Sequence, residues 1–348
     1  MIVVMKRGFQ RAELEDVIAL IEEKGARPMI SHAEHSTLVG VIDKTPGEKH
    51  GVSPDALSSL PGVEKIVPIE EPYKLVGRPL HPEDTVICIE PENGVRFQAG
   101  GGYFGVIAGP CAVESEEQIV ETARAVRLAG GTALRGGAFK PRTSPYSFQG
   151  LKEEGLKMLA AARRETGLAV VTEVLCVNQV DLTAEYADVL QIGSRNMQNY
   201  PLLEAVGRQS NPVLLKRGLC STLSEFLLAA EYIAYQGNPN IILCERGVRT
   251  FEDDTRFTLS LSSIPILQKK SHLPVIVDPS HSTGCDYLIA PMSRAAMAAG
   301  ADGLMIEAHP HPSQSRVDAE QAIDCGAFAA LMDDLRRLAP AAGKRWSE

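Results

Sequence analysis

Two groups of side chains in this sequence could do chemistry together. The first is cationic: Arg135, Lys140, Arg142, Arg195, Lys216 and Arg246 each follow a short apolar run. Guanidinium groups match the geometry of phosphate and carboxylate. Cations gathered at the ends of successive strands repel one another unless anions lie between them. Two phosphates and a carboxylate, shared between a pair of substrates, would suit. The second group is a ligand set, Cys111, His281, Glu307 and Asp318. A thiolate, an imidazole and two carboxylates form a mixed soft and hard site. It suits one divalent first-row metal ion without choosing among Mn, Fe, Co and Zn. Residue types alone leave this open, since Cys111 also fits a buried thiol and His281 a loop cap. No Cys-x-x-Cys or His-Glu-x-x-His is present to decide it. What favours the metal is that the ligands follow different apolar runs or lie in the last loop.

Other candidates carry less. Ser280-His281 lacks the Gly-x-Ser-x-Gly setting of a nucleophile elbow. His309 and His311 flank Pro310, which reads as a proline turn rather than a metal pair.

The elements that must position these residues follow from periodicity. After Tyr103, eight short apolar runs recur: 104–108, 132–134, 168–171, 188–192, 213–215, 241–243, 275–277 and 303–306. Helical patterns lie between most of them, and Ser115-Glu116-Glu117-Gln118 reads as a capping box. Continuous apolar strands alternating with helices imply a parallel sheet. Eight such units predict an α/β fold, a (β/α)8 TIM barrel over residues 104–340. Its strand ends converge on one face, where active sites lie. The cations named above, with Cys111, His281 and Glu307, follow those ends, and Asp318 lies in the last loop.

Ahead of the barrel the texture differs. Ile2–Met5, a strand from Met29-Ile30, Thr37–Ile42 and Val63–Ile69 read as strands. Leu14, Val17, Ile18 and Ile21 mark one amphipathic helix, and Ser53-Pro54-Asp55 opens another. The order βαββαβ over residues 1–70 is a small ferredoxin-like α+β domain. Residues 71–103, rich in proline and glycine, read as a linker with a short hairpin near Val86–Phe97.

Composition narrows the function classes. The chain has 348 residues, 44% hydrophobic and 23% charged, which excludes disorder and coiled coil. A net charge of −9 argues against a nucleic-acid or anionic-membrane partner. No run approaches the ~20 apolar residues of a membrane helix. Seven widely spaced cysteines, an odd number, argue against a disulfide framework and for a reducing cytoplasm.

Four segments carry a resemblance. They are Gly109-Pro110-Cys111, Leu134 through Pro145 (with Lys140-Pro141-Arg142-Thr143 at its centre), Gln191 through Asn199, and Asp278-Pro279-Ser280-His281. In content and order they resemble the 3-deoxy-D-arabino-heptulosonate-7-phosphate (DAHP) synthases, over residues 100 to about 335. The N-terminal unit resembles, more weakly, the regulatory domain of one subgroup. The resemblance implies condensation of phosphoenolpyruvate with erythrose 4-phosphate and release of phosphate, the first step of the shikimate pathway. It implies that Arg135, Lys140, Ser194, Arg195, Lys216 and Arg246 bind phosphoenolpyruvate. Lys140, Pro141, Arg142 and Thr143 would hold erythrose 4-phosphate, and Glu173 is an acidic residue beside the phosphoenolpyruvate. Lys140 and Glu173 are the catalytic candidates, and Cys111, His281, Glu307 and Asp318 match the metal ligands. A homotetramer inhibited by tyrosine or phenylalanine is also implied, though a plain assembly role for residues 1–70 stays open.

Two alternatives stand beside this. The related 3-deoxy-manno-octulosonate-8-phosphate synthases use arabinose 5-phosphate and carry Lys-Ala-Asn-Arg-Ser-Ser where this chain has Lys140-Pro141-Arg142-Thr143-Ser144. A catalytically silent, amino-acid-sensing barrel would have lost a ligand or a cation, and none is lost here.

Overall fold

A computed structural model of the chain describes residues 1–33, 36–45, 50–91 and 94–347. It divides into two compact units, residues 1–84 with 270–272, and residues 85–269 with 273–348.

The first unit follows βαββαβ order. Its elements are β1 (Ile2–Met5), α1 (Arg11–Glu23), β2 (Ala26–Ala33), β3 (Ser36–Asp43), α2 (Pro54–Ser58) and β4 (Val63–Val67). The sheet is antiparallel, in the order β2-β3-β1-β4, which is the ferredoxin-like arrangement. Val17 and Ile21, one helical turn apart on α1, join Leu57 of α2 on one core. That core also holds Val3, Met5, Val39, Val41 and Val63. Of the expected apolar stripe, Val17 and Ile21 are buried and Leu14 packs partly against this core, while Ile18 stays half-buried outside it. Ser53 holds the N-cap position of α2, but its hydroxyl makes no cap bond.

The second unit opens with a two-stranded hairpin, β5 (Ile87–Ile89) and β6 (Phe97–Ala99). Ile87, Phe97 and Ala99 pack with barrel residues such as Ile107, Ala133 and Ile276 in one cluster.

Eight parallel strands then close a barrel: β7 (Gly105–Gly109), β8 (Ala133–Arg135), β9 (Ala169–Glu173), β10 (Val189–Ile192), β11 (Val213–Lys216), β12 (Ile241–Glu245), β13 (Val275–Val277) and β14 (Gly303–Glu307). Every residue of these strands is buried. That explains why each reads as a continuous apolar run rather than an alternating one. The helices are α3 (Glu116–Ala129), α4 (Glu153–Thr166), α5 (Val180–Tyr186), α6 (Tyr200–Gly207), α7 (Leu223–Tyr235), α8 (Ser263–Lys270), α9 (Pro279–Thr283), α10 (Asp286–Ala298) and α11 (Cys325–Leu338).

The capping box predicted at α3 is half formed. Ser115 Oγ accepts from the Gln118 amide at 3.1 Å, as expected. The Gln118 side chain reaches one residue too far, accepting from the Glu114 amide instead. A full box occurs at α7, between Thr222 and Glu225. Among the described residues, no helix is long and apolar enough to cross a membrane.

Candidate active site

The polar ends of the strands ring a cavity of about 290 Å³. Arg135 ends β8, Glu173 ends β9, Lys216 ends β11, and all three side chains face it. The loop after β8 adds Lys140, Pro141, Arg142 and Thr143, and the turn after β10 adds Ser194 and Arg195. Arg246, just past β12, completes the set of expected cations. His281 and Asp318 also reach the cavity wall, while Cys111 and Glu307 lie buried beside them. All fourteen residues expected from the sequence thus meet around one space.

Two of the cations are neutralised by buried carboxylates. Arg135 Nη1 donates to Glu307 Oε1 at 2.9 Å, and Lys216 Nζ pairs with Asp278. Arg142, Arg195 and Arg246 have no carboxylate partner among the described residues. The Nη1 atoms of Arg142 and Arg246 and the Ser194 hydroxyl are buried without a hydrogen-bond partner. Buried donors are almost always satisfied, so these atoms point to a ligand that satisfies them. Burial, with the nearby Arg256 charge adding to it and Asp278 opposing it, lowers the Arg246 pKa to about 10, and its guanidinium sits over the Phe257 ring at 4.1 Å. An anion in the cavity would relieve that cost.

Close approach depends on two glycines. Gly109 has φ +152°, and a Cβ there would stand 2.1 Å from the Arg135 carbonyl oxygen. The turn that carries Cys111 therefore requires glycine. A Cβ on Gly193 would stand 1.9 Å from Glu173 Oε1, so glycine leaves room for that carboxylate.

The ligand atoms of Cys111, His281, Glu307 and Asp318 all lie within 4.8 Å of one another. Cys111 Sγ is 3.2 Å from Asp318 Oδ2, and His281 Nε2 is 3.1 Å from Glu307 Oε1. Burial brings His281 down to about 4, leaving a neutral imidazole able to ligate. On its other side, Nδ1 stands 2.8 Å from Asp278 Oδ2, a close pair that is not aligned as a hydrogen bond but places the carboxylate where one commonly stands behind a metal-ligating histidine. Burial alone would raise Asp278, but His281 and Lys216 hold it well below the usual carboxylate range. Burial would likewise raise Glu307, yet His281 and Arg135 keep it low. Burial pushes the Cys111 thiol up, so a metal ion would have to displace its proton. Lys140 Nζ donates to Cys111 Sγ and to the Cys111 carbonyl, both at 3.0 Å. Burial works against its charge, but Cys111 and Glu173 raise its pKa overall. The donor set and its outer partners fit a divalent first-row cation.

Residues 86–340 match the family described as "DAHP synthetase I family", and residues 1–71 match "DAHP synthase ferredoxin-like domain". The chain belongs to the DAHP synthetase I family. Among its relatives is the "Phospho-2-dehydro-3-deoxyheptonate aldolase" of Thermotoga maritima, 49% identical over 343 residues and 99% of both chains. A "2-dehydro-3-deoxyphosphooctonate aldolase" of Nitratidesulfovibrio vulgaris is 33% identical, across 67% of this chain and 91% of its own. A crystal structure of the Thermotoga maritima DAHP synthase superposes with a TM-score of 0.77, at 47% identity over 99% of each chain. A truncated form of that enzyme, matching 79% of this chain and 99% of its own, gives 0.72.

The family assignment leaves some of the cavity unaccounted for. Arg256, Phe257, Val317 and Gln191 also line it, and none was singled out by sequence reasoning. Arg256 and Phe257 lie in the long connection between β12 and α8, where no periodicity points inward. Gln191 sits inside an apolar strand, where one polar residue was the available signal. Ser280 also gains a role, because its Oγ accepts from the Glu307 amide at 2.9 Å. His309 Nδ1 accepts from the His311 amide, as in a turn, and neither histidine joins the metal group.

Proposed function

We propose that this cavity joins phosphoenolpyruvate to erythrose 4-phosphate, with water, giving 3-deoxy-D-arabino-heptulosonate 7-phosphate and phosphate. One observation carries the reading: unpartnered buried donors of Arg142, Arg246 and Ser194 share a single cavity with a Cys-His-Glu-Asp donor set.

Arg135, Lys216, Arg246, Arg195 and Ser194 hold the phosphate and carboxylate of phosphoenolpyruvate. Pro141, Arg142 and Thr143 hold erythrose 4-phosphate, with Arg142 on its phosphate. Both substrates are anions, so fixed cations supply the alignment that their mutual repulsion opposes. Cys111, His281, Glu307 and Asp318 would hold one divalent metal ion, which supplies Lewis-acid polarisation of the aldehyde. C3 of phosphoenolpyruvate forms the new bond to the aldehyde carbon. Lys140 gives a proton to the resulting alkoxide, and its ammonium is held in the charged form needed for this. Glu173 takes the proton of the water that adds at C2. The C2–O bond to phosphate then breaks as the C2 hydroxyl becomes the ketone, and its proton leaves with the phosphate.

The ferredoxin-like domain over residues 1–70 serves regulation or assembly, with tyrosine or phenylalanine as effector and a homo-oligomer as the working form. Its match to the ferredoxin-like domain supports this. All seven cysteines are free, which accords with a reducing cytoplasm.

The test is phosphate release from phosphoenolpyruvate by metal-loaded protein, with erythrose 4-phosphate or arabinose 5-phosphate, each with and without chelator. Chelator-sensitive release with erythrose 4-phosphate alone is the expected result. Release only with arabinose 5-phosphate would transfer the assignment to the octulosonate synthases. No release with either sugar would leave a silent barrel.

A further inference from the structure

Gln321 is 2% exposed and closes the short turn that follows Asp318. Both ends of its amide are engaged, with opposite polarity. Nε2 donates to Glu307 Oε2 at 2.6 Å, and Oε1 accepts from Arg256 Nη1 at 2.7 Å. A carboxylate only accepts and a guanidinium only donates, so this orientation of the amide is the one that satisfies both neighbours. The other oxygen of Glu307 faces Arg135 Nη1 at 2.9 Å and His281 Nε2 at 3.1 Å. Glu307 is thus gripped at both oxygens. Arg256 lines the cavity, with Nη1 also 3.6 Å from Asp318 Oδ1. Asp318 itself sits at φ +53°, a conformation that its loop must enforce. Gln321 therefore touches one carboxylate of the donor set directly and faces the other through Arg256.

We propose that Gln321 is a positioning residue: its amide fixes the orientation of Glu307 toward the metal ion and aims Arg256 into the substrate cavity. The inference rests on reading the four-residue donor set as a metal site. It assigns this glutamine a dual task that few side chains can perform. Methionine keeps the length and loses both bonds. Glutamate keeps an acceptor for Arg256 but sets a second negative charge against Glu307. The two variants therefore separate the two tasks.

The experiment titrates full-length wild type, Gln321→Met and Gln321→Glu with Co²⁺ against a chromophoric chelator. Thiolate-to-cobalt absorption reports Cys111. Co²⁺ affinity is expected to fall about 10- to 100-fold in both variants, the usual effect of losing an outer partner of a ligand. At saturating Co²⁺, the KM for phosphoenolpyruvate or erythrose 4-phosphate is expected to rise in Gln321→Met and to stay near wild type in Gln321→Glu; wild-type KM for both substrates in Gln321→Met overturns the role in aiming Arg256. Metal-free melting temperatures close to wild type in at least one variant separate positioning from general damage. Wild-type affinity in Gln321→Met overturns the inference alone. So does a loss of affinity in both variants that merely tracks loss of the metal-free fold. Wild-type protein that takes up no Co²⁺ overturns the metal reading and this inference with it.

Discussion

His281 Nδ1 stands 2.8 Å from Asp278 Oδ2, and the same buried carboxylate pairs with Lys216. Asp278 thereby joins a metal-ligand candidate to a cation of the phosphoenolpyruvate site. It also caps α9, where Oδ1 accepts from the His281 amide at 2.9 Å. Its backbone lies one residue past β13, so the barrel itself sets the spacing between the two halves of the site.

Asp278→Asn keeps the volume and removes the charge. It leaves the Lys216 ammonium buried without its counter-ion, which costs about 3 kcal/mol in stability. It also loosens the His281 ring, so metal affinity falls about 10- to 100-fold. Urea unfolding and Co²⁺ titration check the two effects. A variant that loses stability while keeping full metal affinity would show that Asp278 serves Lys216 alone.

Lys140→Met removes the proposed proton donor and leaves the four metal donors in place. Turnover is expected to fall about 100-fold or more, the range for a positioned general acid. Metal affinity should change far less. Steady-state rates at saturating metal, set beside a metal titration, decide the matter; equal losses in both would refute the proton role.

Much of this architecture was legible in the sequence because burial on both faces turns each barrel strand into an unbroken apolar run. The eight runs fall within one or two residues of β7 to β14. Lys140, Arg142 and Arg246 were legible because each closely follows such a run. Gln321 and Arg256 were not, because they sit in connections whose shape depends on contacts distant in the chain. Asp278 was visible as a strand-end residue, but its pairing with Lys216, 62 positions away, is a product of barrel closure. The segment read as a linker holds Ile87 and Phe97, which pack with the barrel core. Short strands with few residues leave little periodic signal of where they will dock.

Gly193→Ala tests the placement of Glu173. The backbone at Gly193 has φ −70° and ψ 158°, which alanine adopts without strain. The added Cβ would lie 1.9 Å from Glu173 Oε1, and that flexible side chain must swing aside. Turnover is expected to fall up to about 100-fold with little change in melting temperature, as for a small misplacement of a reacting group. A double-mutant cycle with Glu173→Gln checks the cause. If displacement of Glu173 is the whole effect, Gly193→Ala adds almost nothing in the Glu173→Gln background.

His272 gives the first unit a dependence on pH. It is 5% exposed, its Nε2 donates to the Leu75 carbonyl at 2.9 Å, and its ring stacks on His81 with centroids 4.3 Å apart. Burial lowers its pKa to about 4, against about 6.5 when unfolded. Between those values the unfolded chain binds the extra proton, so stability falls as pH drops from about 6.5 and levels off below about 4. Over the step from about pH 7 to pH 5 the loss from this one group is about 2 kcal/mol. His272→Gln cannot take up that proton. Urea unfolding of the full chain at both pH values should therefore show wild type losing about 2 kcal/mol more than the variant. Equal losses in the two proteins would mean that His272 takes up its proton in the fold as readily as in the unfolded chain.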